Sequence, residues 1–269
     1  MTFGISTQSL ISLRSEPDHR SEMVSQILFG ELFRIIFTEK NWVRVRLTYD
    51  NYEGWIEEKQ ATMVDETEFL RLLNAETLVS ADLVQLLSME TRKTVMPIVL
   101  GSSLPGISEG SFRINQESFF FEGSLSDSRG FVNALQHAER SKVRQSIVDD
   151  AMLYLNAPYQ WGGRSPFGID CSGFTQMVYK LKRIKLMRDA SQQANHGEPL
   201  SFITESEPGD LVFFDNEEGV ISHVGMMIDK QRIIHASGSV RIDKIDHEGI
   251  YNEAEKKYTH KLRIIKRMV

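Results

Sequence analysis

"YQWGGRSPFGIDCSGFTQMVY", residues 159–179, contains the only cysteine in the chain, Cys171, with Asp170 and Ser172 beside it and Gly168 and Gly173 close by. A cysteine used for packing has apolar neighbours. An acid and a hydroxyl flank this one, so a chemical role suits it better. The segment that follows, "SGFTQMVYKLK", reads as a helix. If that helix begins at Asp170-Cys171, its dipole and free N–H groups favour a thiolate at the first turn. The same amides can donate to an oxyanion.

A thiol nucleophile needs a base, and the base needs a group that orients it. Of seven histidines, two lie in strand-like segments, His223 in "SHVGMMID" and His235 in "RIIHAS". A hairpin about Asp229-Lys230-Gln231 places them nearly opposite one another on adjacent strands. Cys171, His223 and His235 could then serve as nucleophile, base and orienting group. Taken singly, a strand histidine is more often structural and a lone cysteine more often core. Together they point to chemistry. The rival, a Cys-His-His zinc site, lacks the CxxC or HxxxH spacing of common sites.

Around this centre the pattern is α+β. Val143, Ile147, Val148, Ala151, Met152 and Leu155 form one helical face closed by Pro158, and "DASQQANHG" reads as a further short helix. "GDLVFFD", "HVGMMID", "RIIHAS" and "HKLRIIKRM" follow as strands. Helices followed by an antiparallel run indicate an α+β catalytic unit rather than a βαβ array. The first sixty residues read as five or six short strands, with turns at Glu39-Lys40-Asn41 and Asp50-Asn51, which points to a small barrel. From Val64 the pattern turns helical through "EFLRLL" and "ADLVQLL". Strands return in "TVMPIVLG" and "SFRINQESFFFEG". The expected domains are 1–63, 64–135 with a helical insertion, and 136–269.

With 41% hydrophobic and 25% charged residues the composition is that of a soluble globular protein, and a net charge of −6 gives no case for nucleic acid or an anionic membrane. One cysteine excludes an intrachain disulfide framework and agrees with a reducing compartment. The opening residues lack the pattern of a secretory signal, and no run is long and apolar enough for a membrane helix. The expected location is the cytoplasm.

Four segments, "YQWGGRSPFGIDCSGFTQMVY", "PGDLVFFD", "SHVGMMID" and "IIHAS", resemble in order and spacing the NlpC-type papain-like cell-wall cysteine peptidases, from about Ser141 to Val269. By that resemblance Cys171 is the nucleophile, His223 the general base and His235 the residue that orients it. Tyr159 matches a tyrosine whose hydroxyl helps to bind the oxyanion. "SEMVSQILFGE", "DNYEGWIEE" and "IVLGSSLPG" resemble two bacterial SH3-like modules that precede the peptidase in γ-D-glutamyl-diamino-acid endopeptidases of the dipeptidyl-peptidase VI type. The implied fold is a papain-like α+β catalytic domain behind two small all-β SH3-like barrels.

The implied reaction is hydrolysis after D-glutamate in L-Ala-γ-D-Glu-diamino acid murein peptides, releasing L-Ala-D-Glu for recycling. It needs no metal or cofactor, nucleic acid or membrane, and a monomer is expected. Glu22, Tyr52 and Asp170 would hold the free L-Ala amine, with Glu16 and Glu31 near enough in sequence to compete with Glu22. Trp161, Ser172, Arg188, Asp189 and Ser191 would line the rest of the substrate site. Asp170 also reads as a helix N-cap, and Asp189 or Ser191 as another. The alternatives are an endopeptidase or amidase acting on intact wall with the SH3-like modules as anchors, and a non-catalytic peptide-binding protein.

Overall fold

The computed structural model describes residues 2–126 and 140–269, and the expected boundary at 135–136 lies outside them. The chain divides into two compact units, one made of residues up to Ser126 together with Trp161–Pro166, the other, among the described residues, of 140–160 together with Phe167–Val269.

In the first unit, seven antiparallel strands lie in the spatial order Met23–Leu28, Leu10–Arg14, Glu53–Glu57, Trp42–Leu47, Leu32–Glu39, Thr2–Ile5, Thr62–Val64. The Glu39-Lys40-Asn41 turn is where the sequence predicts it, with Glu39 paired to Trp42 and Lys40 at φ 53°. Ile11, Leu13, Ile27, Phe33, Val43, Val45, Leu47 and Ile56 fill the interior. The helix Glu66–Asn74 follows, capped by the Asp65 carboxylate, which accepts from Glu68 N. A second sheet orders Thr94–Val99, Val84–Met89, Glu117–Phe121, Ser111–Ile114, and a separate pair joins Ser103–Pro105 to Thr77–Val79.

Two expectations change here. "ADLVQLL" is not helical, because its last four residues open the strand Val84–Met89. There Leu87 and Met89 are buried on alternate positions, with Ser88 exposed between them, and period two wins over the shorter helical match. Nor do the two β-rich segments keep separate interiors. One cluster joins Phe3, Ile5 and Phe29 to Phe69, Leu72, Leu87, Leu104, Phe112 and Phe119.

Trp161–Pro166, read from sequence as part of the catalytic stretch, belongs to the first unit. Arg164, fully buried, donates through Nη1 to the Gln26 carbonyl at 2.7 Å and to Glu31 Oε2 at 2.8 Å, and through Nη2 to Glu31 Oε1 at 2.9 Å. Gly162 lies at φ +75°, where a Cβ would come within 2.2 Å of the Met23 carbonyl oxygen, so only glycine allows this approach.

The second unit packs helices on a seven-stranded antiparallel sheet. Its order is Glu198–Leu200, Lys257–Arg267, Leu211–Asp215, Ile221–Met227, Arg232–Ser237, Ser239–Ile245, Gly249–Asn252. Gly249–Asn252 also pairs with Lys257–Arg267, so six of the strands close into a ring without free edges. Inside lie Val212, Phe214, Met227, Ile233, Ile245, Ile250 and Ile265. The helix Cys171–Leu181 is buried along its whole length, and Tyr179 donates from its hydroxyl to the Gly209 carbonyl at 2.6 Å. The helix Arg140–Met152 buries Val143, Ile147, Val148 and Ala151 as predicted. Met152 and Leu155, expected on that face, are exposed, since the helix ends at Met152 and the chain turns there.

Candidate active site

Asp170 fixes the start of the nucleophile helix. Its backbone is extended, and its Oδ1 accepts from Gly173 N at 2.7 Å, so Cys171 occupies the first helical position. The same carboxylate receives Arg188 Nη1 at 3.0 Å and Nη2 at 2.5 Å, and Arg188 Nη1 also donates to Ser172 Oγ at 2.9 Å. Asp170, Ser172 and Arg188 are all buried. The structure thus brings three of the predicted substrate residues together as one ion-paired brace around the helix start. Gln193, which the sequence reading passes over, completes it. Its Nε2 donates to the Ser172 and Met187 carbonyls, and its Oε1 accepts from Thr175 Oγ1 at 2.7 Å. Asp189 N donates to Gln192 Oε1, in the capping role read for that segment, and Ser191 is exposed on the short helix Ala190–Gln193.

The thiol differs from expectation. Burial, and after it the Asp170 charge, pushes Cys171 up to about 11, while amide hydrogen bonds from Val224 and Ser172 and the Arg188 charge act the other way. The helix start therefore does not hold a standing thiolate. Tyr159 is pushed up to about 12, first by burial and then by the charges of Cys171 and Asp170, so its hydroxyl stays a donor within reach of the thiol's field.

His223 and His235 meet, though not as directly opposed residues. The hairpin pairs Gly225 with His235, which sets His223 two positions along the same face. Their side chains close the diagonal, His223 Nε2 to His235 Nδ1 at 2.9 Å. A Cβ on Gly225 would approach Ile233 Cδ1 to 2.6 Å and His235 Cβ to 2.9 Å, so the absence of a side chain there lets the pair form.

Behind them stands a residue the sequence reading misses. His235 Nε2 lies 3.0 Å from Asp243 Oδ2, and Asp243 is paired with Arg241. Asp243 is on Ser239–Ile245, a strand the sequence analysis does not list. The turn signal "SGS" before "VRIDKI" was the available clue. The network sets the proton positions. The Asp243 carboxylate can only accept, so His235 carries its proton on Nε2 and presents Nδ1 as an acceptor. His223 then donates from Nε2, which leaves Nδ1 with a lone pair, as a general base requires.

His260, on Lys257–Arg267, stacks on His223 with ring centroids 4.2 Å apart and planes at 29°. Burial, with the neighbouring His235 and His260, holds His223 well below its usual range, and burial lowers His260 to about 4. His223, His235 and His260 bring one nitrogen each within 4.8 Å of one another and form the one grouping among the described residues that approaches a metal centre. The hydrogen bonds between the rings and to Asp243 already occupy both nitrogens of His235 and Nε2 of His223. The raised thiol and the lowered imidazole both run against a standing thiolate–imidazolium pair.

In the first unit, Glu22 and Trp161 are brought together, with Trp161 Nε1 donating to Glu22 Oε1 at 2.5 Å. Both are exposed. Tyr52 is partly buried against the barrel core, and Glu31 is spent on Arg164.

Residues 156–263 match the NlpC/P60 family and residues 13–60 the bacterial dipeptidyl-peptidase SH3 domain. The chain is 29% identical over 254 residues to dipeptidyl-peptidase 6 of Lysinibacillus sphaericus, covering 89% of this chain and 90% of that protein. It is 27% identical, over 87% of its length and 74% of the relative's, to a γ-D-glutamyl-L-lysine dipeptidyl-peptidase of Bacillus cereus. An NlpC/P60 family protein from Bacillus cereus superposes with a TM-score of 0.79 at 21% identity, over 99% of both chains. With a cysteine at a helix start and a histidine pair on the adjoining sheet, the chain carries a cysteine peptidase domain of the NlpC/P60 family behind a bacterial dipeptidyl-peptidase SH3 domain.

Proposed function

We propose that the protein hydrolyses the bond between D-glutamate and a diamino acid in murein peptides with a free N-terminal L-Ala, releasing L-Ala-D-Glu during recycling of wall peptides. The observation that carries this reading is Glu22. It is an exposed carboxylate, yet the Trp161 indole fixes it in place, whereas Glu31 is consumed by Arg164. A fixed, accessible anion suits an ammonium ligand better than a freely solvated surface acid does. The name of the Bacillus cereus relative, a γ-D-glutamyl-L-lysine dipeptidyl-peptidase, supports the same bond.

In the proposed reaction His223 Nδ1 takes the thiol proton as Cys171 attacks the γ-carbonyl. The Cys171 amide and the Tyr159 hydroxyl donate to the oxyanion. The imidazolium of His223 then protonates the leaving amine, and water hydrolyses the thioester. Glu22 with Tyr52 takes the L-Ala ammonium. A nucleophile that must remain a free thiol supports a reducing, cytoplasmic setting, and residues from a single chain suffice for a monomer.

The test compares L-Ala-γ-D-Glu-L-Lys with its N-acetylated twin, in wild type and in Glu22→Gln. The reading expects the free-amine peptide to be preferred by about 100-fold or more and the preference to shrink in the variant. Equal cleavage of both peptides by wild type would remove the amine gate and favour a broader wall hydrolase.

A further inference from the structure

A cavity of about 910 Å³ opens in the second unit, walled by Asp215, Glu217, Glu248, Tyr258, His260 and Lys261 among others. Its three carboxylates outnumber its one lysine. Asp215 is the unusual member. Its side chain is only 8% exposed, Oδ1 is buried without a hydrogen-bond partner, and Oδ2 lies 3.8 Å from Nε of the exposed Arg263. A buried carboxylate oxygen with no donor is costly, and such an atom marks strain, a functional group, or a place for a water or an ion.

The cavity also has a fixed relation to the chemistry. His260 forms part of its wall and stacks at 4.2 Å on His223. His223 hands its proton to the leaving amine, so the residue that carries that amine must lie on the His223 side of the scissile bond. Under the substrate reading given above, on which this step rests, that residue is a diamino acid with a second ammonium on its side chain.

We propose that the cavity is the subsite for the leaving diamino acid, with Asp215 accepting its distal ammonium. Glu217 and Glu248 add to the negative field, and the aliphatic part of the side chain passes His260 and Leu262. No bond is made or broken here. Asp215 sets which leaving residue is preferred.

The experiment measures kcat/KM for L-Ala-γ-D-Glu-L-Lys and for the L-norleucine analogue, which keeps the chain but lacks the ammonium, in wild type, Asp215→Asn and Glu217→Lys. Wild type is expected to favour the lysine peptide by roughly 10- to 100-fold, the range for losing a charge-assisted hydrogen bond. In Asp215→Asn the ratio should fall towards one, chiefly through KM for the lysine peptide. Glu217→Lys, an exposed substitution that brings a cation to the cavity, should lower it as well. A wild-type ratio near one, with both peptides cleaved, overturns the subsite and leaves the reaction standing. An unchanged ratio in Asp215→Asn overturns it too. If Asp215→Asn has no thermal unfolding transition, an unchanged ratio in Glu217→Lys decides against it. Cleavage of neither peptide by wild type overturns the substrate reading and the subsite together.

Discussion

Asp243 determines which nitrogen of His223 is free to act. With asparagine at 243, the amide can donate to His235 Nε2. The proton of His235 then moves to Nδ1, and His223 must accept on Nε2 and carry its own proton on Nδ1, the wrong tautomer for taking a proton from the thiol. Asp243→Asn is expected to lower kcat by about 10⁴-fold with KM little changed, as in other relays where the carboxylate holds a tautomer. A mutant with wild-type kcat would show that Asp243 only packs. The thiol itself gives a second test. With Cys171 raised to about 11 by burial and by Asp170, and His223 held neutral, the iodoacetamide alkylation rate should climb with pH towards that value. A plateau already reached near pH 6–7 would mean a standing thiolate–imidazolium pair instead. Cys171, His223 and His235 are legible in the sequence only as a set, since each taken singly reads as a core or structural residue. The sequence does not reveal the raised thiol, because burial depends on residues distant in the chain.

At the scale of elements, the sequence reads most clearly where a segment is buried over nearly all of its length. The helix Cys171–Leu181 and the strands bearing His223 and His235 were all legible for that reason. Ser239–Ile245 and Gly249–Asn252 were not, since the first mixes Arg241, Asp243 and Lys244 into its apolar positions and the second has only four residues and closes a ring by pairing with Lys257–Arg267, which no local pattern encodes. That omission hid Asp243. The pairing of Arg164 with Glu31 across 133 positions was equally hidden. Both groups are buried, so removing one leaves the other charge uncompensated. Glu31→Gln should cost about 3–5 kcal/mol in chemical denaturation, whereas Glu31→Leu with Arg164→Met should recover most of that loss. Equal destabilisation by the single and double variants would mean that the site depends on shape and not on charge.

Over the whole molecule, the buried histidines link stability to acidity. An unfolded His260 binds a proton below about pH 6.5, but the folded one binds it only near 4, and His223 is lowered in the same direction. Between those values the unfolded chain holds more protons, so stability falls as pH drops from about 6.5 towards 4. Tm should decline over that window, and less steeply in His260→Gln. An identical slope in the variant would assign the loss to other groups.

The claim that joins these scales is that one cysteine, driven by this relay, cuts after D-glutamate. Its most direct test is mass spectrometry of the products from L-Ala-γ-D-Glu-L-Lys with wild type and with Cys171→Ala. The account predicts L-Ala-D-Glu and free lysine from wild type and intact peptide from the variant. Products from Cys171→Ala, or cleavage at the Ala–Glu bond, would contradict it.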